Sequence, residues 1–217
     1  MPFNTDRFPL KNVAYVLMIG GWCTFAQAFP LSNCDAKSDT PLEGKICSGT
    51  FKSSRQALDS KFLTAYLVSD APVQLLKDTH TLWLNQTKLC KTSQCIKQQF
   101  DVRSDELNTY TSLNQTLTQH FLKYDNGTLA TSPVHLQVHQ LSKDKIKIEG
   151  IAYRNPNNRS ETQTVPFLAY TSPEKKNQIV DNEHDCAYTF NFQKSLLVVK
   201  TEQKGCERFT GIYRLYD

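Results

Sequence analysis

Six cysteines behind an N-terminal export signal constrain this chain more than any other feature. Arg7 and Lys11 precede an apolar run from Val13 to Trp22, and Ala26-Gln27-Ala28 closes it. A charged head, a short apolar stretch and a small-x-small end predict a signal peptide over residues 1–28. The run is shorter than the ~20 residues a transmembrane helix needs, so no stable membrane insertion is expected after cleavage. Removing the leader takes Cys23 with it and leaves Cys34, Cys47, Cys90, Cys95, Cys186 and Cys206. An even set in an exported chain predicts three disulfides and a periplasmic or secreted location. None of the six forms a Cys-x-x-Cys pair, which argues against zinc ribbons and thioredoxin-type chemistry.

Composition agrees with a folded domain: 39% of the 217 residues are hydrophobic and 21% charged. The net charge of +4 falls to +3 without the leader, too mild for a nucleic-acid binder.

The hydrophobic period changes along the chain. Thr40-Pro41-Leu42-Glu43 is a capping box with proline at the first helical position. Ile46, Cys47, Phe51, Leu58, Phe62, Ala65 and Tyr66 follow at near-helical spacing. Asp70 and Pro72 break the chain, and Leu75, Leu76, Thr79, Leu82, Trp83 and Gln86 form a second stripe. After Lys91-Thr92-Ser93, a third stripe runs through Ile96, Phe100, Leu107, Tyr110, Leu117 and Phe121. Short connections make the three helices antiparallel neighbours.

Beyond residues 125–133 the period becomes two. Val134, Leu136 and Val138 alternate with polar residues, as do Ile146 and Ile148, and Cys186, Tyr188, Phe190 and Phe192. Val165, Phe167 and Ala169 form another run, which Pro166 marks as an edge or bulge. With Ser195–Val199 and Phe209–Tyr216 this predicts six or seven antiparallel strands. The expected fold is α+β: a disulfide-linked three-helix antiparallel bundle over 29–128, then a small antiparallel β-meander or barrel over 129–217.

Cys47, Cys90 and Cys95 fall at one end of such a bundle, with Cys34 just upstream. That favours bonds tying the leading segment and helix one to the helix two–three turn, with a local Cys90–Cys95 bond as the alternative. Cys186 and Cys206 flank one hairpin and pair by elimination.

Few constellations suggest catalysis. His135 and His139 share a strand face, but no carboxylate stands beside them in sequence, so solvated histidines are expected instead of a metal site. His184-Asp185-Cys186 could suggest a thiol nucleophile were the cysteine not expected to be oxidised. Glu106 and the acidic run Asp181-Asn182-Glu183 sit in polar helix and turn contexts. No metal, cofactor or enzymatic centre is predicted. Arg103 lies beside a buried stripe, where an arginine needs a partner, and Asp59 is the candidate.

Residues 34–107 resemble the N-terminal domain of the LprI-type lysozyme inhibitor family of exported bacterial proteins. The likeness runs through Cys34, Ile46-Cys47, Leu58-Asp59, Phe62 and Ala65-Tyr66, then Trp83-Leu84, Cys90, Cys95-Ile96, Phe100, Arg103 and Leu107. His80 and Thr87 depart from it, standing where glutamine and arginine are expected. The resemblance implies a bacterial, non-enzymatic protein that occludes lysozyme, whose catalytic groups are carboxylates. Complementarity then points to Lys204, Arg208 and Arg214 as the partner-binding residues. Lysozyme is itself cationic, and a mature chain at +3 offers no acidic steering surface. The alternative is therefore a general envelope-binding module with a peptidoglycan or protein partner.

Overall fold

The structure is a computed structural model that describes residue 34 and residues 41–112, 117–158 and 162–216. The predicted signal peptide lies outside the described residues. Helices come first and strands second, but the two halves share a core.

Four helices precede the sheet: α1 (Pro41–Ile46), α2 (Lys52–Val68), α3 (Val73–Lys88) and α4 (Ser93–Ser112). The first expected helix is thus two pieces. Ser48 is extended, and a 3-10 turn over Gly49–Phe51 re-aims the chain into α2. Pro72 separates α2 from α3 by setting the backbone at the first turn of α3. Every residue of the second predicted stripe is buried on α3. On α4 the buried positions Ile96, Phe100, Arg103, Leu107 and Tyr110 step by three or four residues, so one face packs against α2 and α3. Tyr66, placed by its spacing on the core stripe of α2, is instead 47% exposed, while Leu58 and Ala65 are buried.

The third helix ends nine residues before Phe121, the last residue of its predicted stripe. Residues Thr118–Asp125 form β1, and Leu117 is exposed. His120, Phe121 and Leu122 are all buried because β1 is covered on both faces, by the helices on one side and the sheet interior on the other. Such a strand shows no alternation in sequence.

Eight more strands follow: β2 (Thr128–Leu129), β3 (Val134–Ser142), β4 (Lys145–Tyr153), β5 (Thr164–Thr171), β6 (Gln178–Val180), β7 (Ala187–Phe192), β8 (Leu196–Lys200) and β9 (Gly211–Tyr216). The order is β5-β4-β3-β1-β9-β8-β7-β6, all antiparallel, with β2 on β1. The sheet departs from a simple meander where the last strand pairs with the first, placing His120 opposite Tyr216. Pro166 lies on β5, the end strand, as its missing N–H requires.

The two ends of the sheet approach each other and nearly close a barrel. Asn182 N–H donates to Leu168 O at 2.8 Å, and Leu168 N–H donates to the buried Asp181 carboxylate at 3.1 Å. Phe121, Leu136, Ile148, Phe167, Phe190, Leu197 and Tyr213 fill the interior. Gly150 faces that interior where a Cβ would come within 2.5 Å of Leu136 and 3.2 Å of Phe167.

The division expected at residue 128 falls within the sheet. It would separate β1 from its neighbours β3 and β9. Leu122 and Tyr216 belong to the helical core, with Tyr124 and Leu129 packed against it.

The bonds are Cys34–Cys47, Cys90–Cys95 and Cys186–Cys206. The expected tie between the leading segment and the helix two–three turn is overturned. Cys90 and Cys95 flank a short turn and are 5.5 Å apart at Cα, so they satisfy each other locally. The β-domain bond joins the pair reached by elimination.

Candidate functional site

Two polar assemblies stand out. The first lies between the helices and the outer face of the sheet. Arg103 is fully buried, and its guanidinium donates to Glu106 Oε2 at 2.6 Å and to Leu76 O at 3.2 Å. These bonds replace the expected partner Asp59, which is exposed on α2. Tyr110 OH donates to Glu106 Oε1 at 3.4 Å, and burial followed by the Glu106 charge pushes its phenol up.

Beside this group, His120 Nδ1 and His135 Nε2 are 3.2 Å apart. Burial drives His120 down to about 2 and His135 down to about 3, so both rings are neutral at ordinary pH. His139 hydrogen-bonds through Nδ1 with Thr118 and lies 3.1 Å from Glu149. His135 and His139 are therefore buried, not solvated. The layer of helices covers the polar face of β1 and β3, which the strand alternation alone had left facing water. The adjoining cavity, lined by Trp83, Gln86, Glu106, His135 and Tyr153, is about 10 Å3, room for one water and no substrate. This cluster joins two layers. Among the described residues no group of three or more His, Cys, Asp or Glu is placed to hold a metal ion.

The second assembly opens to solvent at one mouth of the barrel, a cleft of about 560 Å3. That is ample for a small ligand. The floor and walls are Val134, Val165, Tyr188, Phe209 and the Cys186–Cys206 bond. Its basic residues are Lys123 near the end of β1, Arg154 just after β4, Arg208 before β9, and His184. They arrive on separate elements because the strand ends converge there.

Lys123 points inward from β1, on the same side as Phe121. Its stem lies over Gly211, where a Cβ would meet Lys123 Cε at 2.7 Å. Gly211 also has φ +142°, a conformation that favours glycine. The ammonium is held below its ordinary range by burial; Asp125 acts against this, and the Arg208 charge adds to it. Arg208 donates to Tyr153 O. The two carboxylate oxygens of Glu207, the acidic residue of the lining, accept from Gly205 N–H at 3.1 and 3.0 Å. His184 Nδ1 lies 2.7 Å from Asp181 Oδ2.

The loop over this mouth is pinned. Thr201 donates to Ala187 O at 2.7 Å, and Tyr188 OH donates to Cys206 O at 2.9 Å. The three residues expected to bind a partner divide accordingly. Arg208 lines the cleft and Lys204 is exposed on the pinned loop. Arg214 is elsewhere, on the outer face of β9, with its guanidinium 6.0 Å from the Tyr124 ring centre and 5.7 Å from that of Tyr216. Lys123 and Arg154 escaped the sequence reading, and His184 was weighed there only beside Cys186 as part of a thiol nucleophile. The signal for Lys123 was a lysine in phase with Phe121, visible only once β1 is read as a strand.

Comparison with family models, with curated proteins and with solved structures gives no match for this chain.

Proposed function

We propose that this chain is an exported, non-enzymatic binding protein of the lysozyme-inhibitor-like kind. Three disulfides support an oxidising compartment. No described helix is long and apolar enough to cross a membrane. The observation that carries the reading is the pinned loop, which exposes Lys204 next in sequence to the cleft residue Gly205 and carries Arg208 into the cleft lining. A rigid cationic rim suits a partner whose functional groups are carboxylates, because little ordering is required on binding. The helical layer, which carries the likeness to the LprI-type domain, backs the sheet and keeps β1 and β9 in place.

The test is turnover of a cell-wall substrate by lysozyme in the presence of the mature, oxidised protein. Inhibition near a stoichiometric ratio is expected, with a loss of about tenfold in Lys204→Glu, the scale of one charge-assisted contact. Full lysozyme activity at excess protein overturns it, and capture on peptidoglycan then favours the general envelope-binding module.

A further inference from the structure

The barrel end opposite the cleft of Lys123 and Arg208 is rimmed by lysines and exposed leucines. We propose that this end docks on an anionic lipid surface, with the leucines entering the interface and the lysines lying against the headgroups. This goes beyond the docking of lysozyme, which uses the exposed loop of Lys204 at the other mouth.

The strand pairing gathers this end from distant parts of the chain. β1, β4 and β8 begin here and β3, β5 and β7 finish here, because Thr118 pairs with His139, Ile146 with Thr171 and Phe192 with Leu197. Leu117, Gln140, Ile146, Pro173, Lys176 and Phe192 accordingly border one cleft of about 380 Å3. The β3–β4 turn, the β5–β6 loop and the β7–β8 turn surround it. They bring Lys143 and Lys145, Lys175 and Lys176, and Lys194 to one rim, and all five are exposed.

Against these five lysines the same connections hold two carboxylates, Asp144 and Glu174, a net charge of +3. That equals the net charge of the whole mature chain. Glu174 accepts a hydrogen bond from Ser172. Among the described residues no ion pair joins any of the five lysines to a carboxylate. Two of them lie over rings instead: Lys145 Nζ is 5.1 Å from the ring centre of Tyr170 and Lys176 Nζ is 5.5 Å from that of Phe192. An ammonium over a ring keeps its outer side for an anion.

Apolar groups stand out on the same rim. Leu117 is 61% exposed, Leu141 51% and Tyr170 50%. A single exposed leucine is ordinary, but these share one end with the lysines. A protein partner would need acids matched to five separate positions. A fluid anionic bilayer brings mobile charge beneath every lysine and takes up the leucines at its interface. The docking is peripheral, since no described helix is long and apolar enough to cross a membrane.

The test is co-flotation of the full mature protein, disulfides intact, with vesicles of phosphatidylcholine alone or mixed in equal parts with phosphatidylglycerol. Binding to the mixed vesicles that weakens with salt is expected, with little binding to the neutral ones. Lys143→Gln and Lys194→Gln, both at exposed positions, should each lower the partition coefficient by roughly fivefold, the scale of one lysine at an anionic surface. Lys204→Gln makes the same charge change at the other end and should leave it unchanged. Leu141→Trp supplies a direct readout, because Trp83 is buried in the helical core. Its emission should move to the blue on mixed vesicles.

Equal binding to both kinds of vesicle, or binding to neither, overturns the surface. So does a loss in Lys204→Gln as large as that in Lys143→Gln, which would reduce the attraction to net charge, or unmoved emission from Leu141→Trp. Lysozyme inhibition with no vesicle binding would leave the docking reading standing alone, and the reverse result would leave only this one.

Discussion

The hydroxyl of Tyr216, on the last strand, donates a 2.5 Å hydrogen bond to the carboxylate of Asp78 in α3. The Tyr124 and Tyr216 hydroxyls are 2.9 Å apart, and Gln74 donates to the other Asp78 oxygen at 2.7 Å. The contact joins residues 138 positions apart and ties the helical layer to the centre of the sheet, where β9 meets β1.

The two layers should therefore unfold together. Tyr216→Phe removes a donor to a charged acceptor and should cost ~1.5–3 kcal/mol. Urea melts followed by far-UV circular dichroism and by aromatic fluorescence should stay coincident in the unmodified protein. A chain of residues 30–128 retains β1 without β3 or β9, and it should lack a cooperative melt even with its cysteines oxidised. A cooperative, helical fragment would show that the shared core is dispensable.

Arg103 should be among the most sensitive positions in the helical layer. It has no solvent exposure and is held by Glu106 and a backbone carbonyl. Removing either partner strands a buried charge, so Arg103→Met and Glu106→Gln should each cost ~3–5 kcal/mol. Asp59→Asn, on the exposed side of α2, should change stability by less than ~0.5 kcal/mol. A double-mutant cycle on Arg103 and Glu106 should show clear coupling, and the cycle on Arg103 and Asp59 almost none.

Which elements were legible follows from how many faces each one buries. α3 has one buried stripe and a wet side, and the spacing named six of its seven buried positions, leaving out Thr87. β7 alternates cleanly because one face fills the barrel and the other is exposed. β1 is covered on both sides, so its buried run reads equally well as the tail of a helix. The same omission hid the inward direction of Lys123 and left His135 and His139 apparently in solvent. The local Cys90–Cys95 bond depends on the geometry of one turn, which spacing left open between two patterns.

The histidine pair should make the protein acid-labile in a defined window. Both rings sit far below the ordinary value of 6.5 in the folded protein, at about 2 for His120 and about 3 for His135. The causes are burial, then mutual repulsion for His120 and the Arg103 charge for His135. The unfolded chain takes up these protons near pH 6.5 and the folded one does not. Stability is therefore fully present above that pH and falls as the pH drops towards 3. Each histidine contributes a slope of ~1.4 kcal/mol per pH unit in that interval. Urea melts across the window should show an excess uptake of about two protons on unfolding. His135→Gln should reduce that uptake by about one. An unchanged slope would mean that the pair is already protonated when folded.

The Cys186–Cys206 bond should matter to stability and to binding in separable ways. It spans 20 residues, against five for Cys90–Cys95. Chain-entropy estimates give ~3 kcal/mol for the longer loop and ~2 kcal/mol for the shorter. The paired change Cys186→Ser with Cys206→Ser should therefore destabilise the protein more than Cys90→Ser with Cys95→Ser. Only the first pair holds the loop that carries Lys204 and forms part of the cleft wall. At a temperature where both variants remain folded, the β-domain variant should lose lysozyme inhibition and the helical one should retain it. Equal inhibition by the two would remove the pinned loop from the binding surface and place the partner elsewhere on the molecule.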